Sequence, residues 1–250
     1  IAQNGYTPVA AAAVQGADIV SIGGISNRLP FQRVVKTSIT NASALKGQSV
    51  AISRYGSSTD TAADFALAHL KLSRTDVKIL QLGGAATRMA AAMSGQIAGT
   101  MEQYPDTAEL ARHGFHVLVD VTEIAGDYPN TSYVTSRSFL KSRPEVVKTF
   151  LMAMATAVHA YKSNPSVAIP LSQKFLDVKD PANAKAAYEA YVKVYPDDLK
   201  PSLPGVALVL KEIAKKEPKA AAMRAEQFVE TSALDALDGE GFFKKLQAAN

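Results

Sequence analysis

The chain has 250 residues, of which 47% are hydrophobic, so it is long and apolar enough to form one large core or two modest ones. Its formal net charge is +4 and neither half is a basic block, which argues against nucleic acid as a partner. The absence of cysteine excludes disulfides, a thiolate nucleophile and thiolate metal ligands.

The first residues predict a strand followed by a helix and a second strand. Residues 1–4 are typical of the end of a strand, and because the chain opens with Ile1 we expect that a preceding segment is missing from this sequence. Thr7 and Pro8 predict the start of a helix, and Gly16 predicts its end. Residues 18–22 predict the next strand.

Residues 49–70 are the most informative stretch of the chain. Alternating polar and apolar residues around Val50 and Ile52 predict a strand. Gly56 predicts a tight turn, and an alanine-rich run at helical spacing begins near Ser58. The stretch therefore predicts a strand, a turn and a helix in direct succession.

Three hydroxyl residues, Ser57, Ser58 and Thr59, fall at the start of this predicted helix. Backbone N–H groups at a helix N-terminus lack intrahelical partners and carry partial positive charge, which favours a small anion. Helix capping explains the same residues equally well, with Ser57 as the N-cap and Asp60 as a short capping-box acid.

Strands and helices continue to alternate over residues 78–121. Strands are predicted at residues 78–82 and 116–121, and between them a helix ends at Gly95 and leads into a strand that reaches Met101. Such alternation predicts an α/β fold with a mainly parallel sheet and helices on both faces.

After residue 136 the signals are helical. A long helix is predicted to about residue 162 with Ser142 near its cap. Further helical segments are punctuated by prolines, namely Pro165, Pro181, Pro204 and Pro218. We therefore expect a helical C-terminal region.

The sequence gives no positive sign of catalysis. It contains no GxSxG, HExxH, GxxxxGK[ST] or GxGxxG motif. The close pair His113 and His116 is more typical of surface or packing residues than of metal ligands. We predict no catalytic residue, no metal site and no cofactor.

Several stretches, taken in their order along the chain, resemble one family. They are DIVSIGGI, LKGQSVAISRYGSSTDTAADFAL, the Gly83-Gly84 turn, MAAAMSGQIAGTMEQYPDTAEL, SRPEVVKTFLMAMATAVHAY and EQFVETSALDAL. Together they resemble the periplasmic substrate-binding proteins of bacterial ABC importers. The branch is the one that holds the aliphatic sulfonate, taurine and nitrate binders and the NMT1/THI5-like binders of thiamine-pyrimidine precursors.

The resemblance implies a two-lobed periplasmic-binding-protein-like fold of type II, with mainly parallel sheets flanked by helices. One lobe would consist of residues 1–36 and 124–250, and would lack its N-terminal part. The other lobe would consist of residues 37–123. Hinges would lie near residues 36–39 and 123–127, and the lobes would close over a ligand.

The resemblance also implies which residues bind the ligand. Carried over onto this sequence, they are Ser57, Ser58 and Thr59 for an anionic group, Tyr6, Tyr55 and Tyr104 for the walls, and Asn4, Gln81, Gln103, Asn130 and Thr131 for orientation. Arg88 is a candidate counter-charge, although we expect a solvated position for it. Glu102 would favour a ligand with a donor or cationic group if it were buried, and it is equally compatible with solvent.

The implied function is that of a solute receptor, not an enzyme. It would bind a small anionic organic ligand and deliver it to an ABC permease in the inner membrane, as a monomer in the periplasm, either exported or lipid-anchored. Two alternatives remain open. One is an enzyme on the same fold, of the menaquinone- or thiamine-pathway type, and the other is the effector-binding domain of a transcription regulator.

Overall fold

The structure is a computed structural model that describes residues 1–248. The strands are β1 (Ala2–Gly5), β2 (Val20–Ser26), β3 (Gln32–Lys36), β4 (Ser49–Ile52), β5 (Lys78–Gln81), β6 (Gly99–Glu102), β7 (Phe115–Asp120) and β8 (Thr131–Thr135). The helices before β8 are α1 (Tyr6–Val14), α2 (Ala42–Leu45), α3 (Ser58–His69), α4 (Ala85–Met93), α5 (Asp106–Arg112) and α6 (Val121–Ile124). After β8 come α7 (Arg137–Ser142), α8 (Pro144–Ser163), α9 (Pro165–Phe175), α10 (Pro181–Tyr191), α11 (Leu203–Ala214), α12 (Ser232–Gly239) and α13 (Phe242–Ala248).

The chain divides into two compact units. The first contains Ile1–Arg28, Asp127–Ser172 and the residues from Tyr191 onward, and the second contains Leu29–Gly126 and Gln173–Ala190. A three-stranded sheet of order β1-β8-β2 belongs to the first unit, and a five-stranded sheet of order β5-β4-β6-β3-β7 belongs to the second. The predicted α/β class, with sheets flanked by helices, is confirmed.

The strand directions correct one part of that prediction. Only β5, β4 and β6 pair in parallel, while β8 runs antiparallel to β1 and β2, and β3 runs antiparallel to β6 and β7. Strands joined by a helix, such as β1 and β2, do run in the same direction. Strand β8 lies between β1 and β2, and strand β3 lies between β6 and β7. Each of these two inserted strands comes from a different part of the chain than the pair it separates.

The core of the first unit lies between its sheet and the C-terminal helices. Ile22 and Tyr133 pack in one cluster with Leu151 of α8, Leu234 of α12 and Phe243 of α13. None of the helices within residues 1–248 is long and apolar enough to cross a bilayer.

The second unit buries both faces of its sheet. One face packs against α4 and α5 through Ala91 and Leu110, and the other packs against α3 through Leu67. A layer of helix on each face leaves the strand ends as the place where loops with polar side chains emerge.

One predicted helix start needs correction. The N-cap of α1 is Gly5, and Thr7 lies inside the helix with its hydroxyl 3.1 Å from that of Tyr128. The long helix α8 begins as predicted, with Ser142 directly before its N-cap Arg143; the Ser142 hydroxyl itself donates to the Phe139 carbonyl at the end of α7.

Candidate functional site

The loop between β4 and α3 holds the hydroxyl residues singled out from the sequence. Ser57 is the N-cap of α3, and its Oγ accepts a hydrogen bond from Asp60 N at 3.3 Å. The carboxylate of Asp60 accepts from Gly56 N at 2.8 Å. The predicted cap is therefore confirmed, but Asp60 ties down the turn before the helix and does not complete a capping box with Ser57.

Three hydroxyls of this loop form a closed triangle. Ser53 Oγ, Ser57 Oγ and Thr59 Oγ1 lie 2.9 Å from one another, and Thr59 Oγ1 also accepts from Ser53 N. By contrast, the hydroxyl of Ser58 and the N–H groups of Ser58 and Thr59 have no hydrogen-bond partner among residues 1–248. Ser58 is thus the member of the predicted trio whose hydroxyl is left for a ligand, and Ser58 and Thr59 each keep an N–H donor.

Tyr55 is held at both ends against β5. Its backbone N donates to Gln81 Oε1 at 2.7 Å, and its hydroxyl donates to the Ile79 carbonyl at 3.2 Å. The residue is 52% exposed, and the guanidinium carbon of Arg74 lies 5.7 Å from the centroid of its ring. The same guanidinium binds Asp60 at 2.7 Å, so the charge of that buried carboxylate is compensated.

Arg88 is buried and ion-paired, which corrects the expectation that it is solvated. Its side chain is 5% exposed and that of Glu102 is 1% exposed. Nε donates to Glu102 Oε1 at 3.0 Å and Nη2 to Oε2 at 2.7 Å, a bidentate pair. The remaining donors reach the carbonyls of Gly83 and Met101.

Because Arg88 and Glu102 neutralise each other, the pair offers no net charge to a ligand. Burial raises the pKa of Glu102, and the Arg88 guanidinium opposes that shift. Thr100 also donates to Glu102 Oε1, at 2.8 Å. The pair joins α4 to the end of β6 and presents no net charge of its own.

Gln103 and Tyr104 follow directly after β6 and are half-buried. The Gln103 carbonyl accepts from Thr107 N at 3.0 Å, at the start of α5. The structure thus brings residues 55–59, Gln81, Arg88, Gln103 and Tyr104 to the carboxyl ends of three adjacent strands, β4, β5 and β6.

The other predicted residues come together in the first unit, at one end of the β1–β8 pair. Gly5 pairs with Thr131, and the Asn130 carbonyl accepts from Tyr6 N at 2.9 Å. Asn4 is exposed, and its Oδ1 accepts from Gly5 N. Tyr6 is fully buried, its hydroxyl has no partner among residues 1–248, and burial raises its pKa.

Sequence reasoning missed three polar residues of the second unit: Ser53, Arg33 and Arg74. Ser53 completes the hydroxyl triangle and could have been found as the first polar residue after an apolar strand. Arg74 lies in a 3₁₀ turn distant in sequence from the carboxylate it binds, so no local signal exists. Arg33 interrupts an apolar run that ends in Val34 and Val35, which is a usable signal.

The histidines and acidic residues do not assemble a metal site in the described part of the chain. His116 Nε2 lies 2.8 Å from the Ile39 carbonyl, and His113 Nδ1 lies 3.0 Å from the Glu109 carbonyl. Both rings are thus engaged with backbone.

A family model described as NMT1/THI5 like matches residues 2–168. No curated protein matches the chain by sequence.

Solved structures resemble this one over most of its length. A protein from Bordetella bronchiseptica RB50 has a TM-score of 0.78 at 20% identity, covering 94% of this chain and 79% of that one. The periplasmic aliphatic sulphonate binding protein SsuA from Escherichia coli has a TM-score of 0.71 at 22% identity, covering 91% and 78%. The desulfurization enzyme DSZB has a TM-score of 0.67 at 15% identity, covering 96% and 84%. These likenesses show a shared fold.

Proposed function

The chain belongs to the NMT1/THI5-like family, and we propose from this premise that it is a solute-binding receptor of an ABC importer. The observation that carries the proposal is the family match over residues 2–168. The similar fold of an aliphatic sulphonate binding protein supports a small organic oxyanion, such as a sulfonate or a carboxylate, as the ligand. In this proposal the receptor works in the periplasm as a monomer and hands its solute to a permease in the inner membrane.

The anionic group would bind at the N-terminus of α3. Ser58 supplies a hydroxyl and an N–H, and Thr59 supplies an N–H, all without partners among the described residues. The helix macrodipole adds partial positive charge at the same place. Tyr55, with its ring exposed and both ends fixed, would form a rigid wall for the body of the ligand.

Binding without chemistry fits the side chains around this loop. The hydroxyls of Ser53, Ser57 and Thr59 bond to one another, which stabilises the loop and does not single out a nucleophile. An enzyme on the same fold is the alternative outcome, since DSZB has a similar fold, and it would consume the ligand it binds.

The test is thermal unfolding of the purified chain with a panel of aliphatic sulfonates, nitrate, phosphonates, aromatic carboxylates and pyrimidines. A ligand at about 100 times its dissociation constant stabilises by roughly 2.7 kcal/mol, which raises Tm by about 5–11 °C in a chain of this size. We expect a shift with one class and full recovery of the ligand. Loss of ligand in the same samples would favour the enzyme.

A substitution locates the binding group. Ser58→Leu should abolish the ligand-induced shift and leave the fold intact, because it places a bulky apolar side chain at the open N–H groups. Ser232→Leu is the matched control, since Ser232 is likewise the first residue of its helix, α12. Unchanged affinity in Ser58→Leu would remove this loop from the site.

A further inference from the structure

Arg33 is a fully buried arginine within the five-stranded sheet. It lies on β3, where it pairs with Met101 of β6 and Val119 of β7. Its relative exposure is 0%. Arginine is rarely buried to this degree without a partner, so the position requires a physical account.

The strand register fixes the face of the sheet to which Arg33 belongs. Side chains two residues apart on a strand share a face, and Val35 packs in one cluster with Val50 of β4 and Leu67 of α3. Arg33 therefore lies on the face that α3 covers. Its partner Met101 directly precedes the last residue of β6, so Arg33 lies near the strand ends where the candidate loops begin.

The guanidinium of Arg33 has no acceptor. Nε, Nη1 and Nη2 are all buried without a hydrogen-bond partner among residues 1–248. The opposite charge that acts on it is Asp64, whose carboxylate also binds Arg74 at 2.5 Å, and the same Arg74 guanidinium is shared with Asp60. Arg74 and Arg88 are both ion-paired, whereas Arg54, in the β4–α3 loop itself, is exposed and carries its charge at the surface.

The charge persists at neutral pH. Burial lowers the pKa of Arg33 to about 10, which still leaves the side chain protonated at pH 7. A buried cation with five unpaired N–H donors is unfavourable unless an acceptor arrives, and a planar guanidinium fits two oxygens of one oxyanion.

We propose that Arg33 binds an oxyanion within the unit that contains Leu29–Gly126, through its unpaired guanidinium beneath α3. The oxyanion is either the sulfonate or carboxylate group of the transported solute or a free inorganic anion. The solute source rests on the proposed function, whereas the inorganic source does not.

The experiment compares the wild-type chain with Arg33→Met, which removes the charge at similar volume, and with Arg33→Lys, which keeps the charge and removes the planar fork. Arg112→Met is the matched control, because Arg112 is an exposed arginine paired with Glu109 and Asp180. The probes are ethanesulfonate, benzoate and sodium sulfate at matched ionic strength, with sodium chloride as the reference. Affinities come from the dependence of Tm on probe concentration.

We expect at least one probe to bind the wild type and to bind Arg33→Met about 10- to 100-fold more weakly, as for loss of a charge-assisted hydrogen bond. Arg33→Lys should bind more weakly than the wild type, and Arg112→Met should match it. Discrimination by ethanesulfonate or benzoate alone would assign the solute as the source, and discrimination by sulfate would assign a free anion.

Two results would overturn the inference. One is that no probe binds Arg33→Met more weakly than the wild type. Equal affinity of both proteins for ethanesulfonate would refute the Arg33 site without refuting the proposed receptor function. The other is a lower Tm or failure to fold of Arg33→Met in chloride alone, because loss of an unpartnered buried charge should be neutral or stabilising. Binding of sulfate that depends on Arg33, without binding of any organic solute, would support the oxyanion site and count against the proposed function.

Discussion

Breaking the Arg88–Glu102 pair is the most direct test of how the second unit is held together. Glu102→Gln leaves the Arg88 guanidinium buried without its counter-charge, and Arg88→Met does the same to the carboxylate. The two side chains are 5% and 1% exposed and share a bidentate contact with Nη2–Oε2 at 2.7 Å. Solvent therefore cannot replace either lost partner without disturbing the packing of α4 on β6.

The magnitude follows from that burial. Removing one partner of a buried, hydrogen-bonded ion pair costs about 3–5 kcal/mol, which corresponds to a fall in Tm of about 6–20 °C for a chain of this length. The double variant Arg88→Met/Glu102→Gln should recover much of the loss, because it removes both buried charges together. Thermal and urea unfolding of the four proteins would give the coupling free energy.

An exposed ion pair provides the comparison. Lys185 and Glu189 on α10 are 63% and 52% exposed, so Lys185→Met should change the free energy of unfolding by less than about 1 kcal/mol. If Glu102→Gln were no more destabilising than this control, or if the double variant lost the sum of the two single losses, the argument from a buried, coupled pair would be refuted.

Two further predictions concern the framework of each unit. Gly99→Ala should lower the free energy of unfolding by about 1–3 kcal/mol, because the added Cβ would lie 2.5 Å from the Val34 carbonyl oxygen. Gly239→Ala is the control, since its added Cβ would have nothing within 4 Å, and it should not destabilise the chain. Equal urea midpoints of the two variants would contradict this prediction. Asp18 accepts hydrogen bonds from Ser138 Oγ and from the N–H groups that begin α7, which lower its pKa. A carboxyl group whose pKa is lowered on folding stabilises the fold fully above its unfolded pKa of about 4, and this stabilisation is lost as the pH falls through the lower folded pKa. Asp18→Ala should therefore destabilise the chain more at pH 7 than at pH 3 in denaturant unfolding, and an equal loss at both pH values would contradict this.

Local signals were enough to predict most individual elements. The strand at β4, the turn at Gly56 and the helix α3 follow from period-two alternation, a glycine with positive φ and an alanine-rich run. Gly16 and Gly95 likewise have positive φ after α1 and α4, as a helix C-terminus requires. These features depend on neighbours in sequence, which is why a single sequence reveals them.

The insertion of β3 and β8 could not be predicted, because it depends on distant pairing. Each strand joins a sheet whose other members come from elsewhere in the chain, and nothing in its own residues specifies antiparallel direction. A strand–helix–strand pattern predicts direction, and here it does so correctly for β1 and β2, but it does not predict that a third strand lies between them.

The environment of Arg88 shows the same limit at the level of side chains. A single arginine on a helix is most often solvated, and the sequence offers no sign that Glu102 on β6 lies opposite it. The position of the hydroxyl residues 57–59 was easier to predict, since a helix N-terminus places unpaired backbone N–H groups around them. Even there, the sequence could not tell that Thr59 and Ser57 bond to Ser53 while Ser58 does not.

The charges near the candidate loops bear on the class of ligand. Arg88 and Glu102 together add no net charge, Arg74 is shared between Asp60 and Asp64, and Arg54 in the β4–α3 loop is exposed. The open N–H groups at the start of α3 favour an anion but also donate to a neutral oxygen, and hence they do not distinguish a sulfonate from a pyrimidine precursor. If Arg33 binds the solute as proposed, it would distinguish them, because an unpartnered buried cation gains far more from a charged oxyanion than from a neutral acceptor. A solute whose affinity falls when this guanidinium is removed would therefore be an acid, whereas an acid that binds equally well with and without it would be held by the N–H groups at the start of α3 instead.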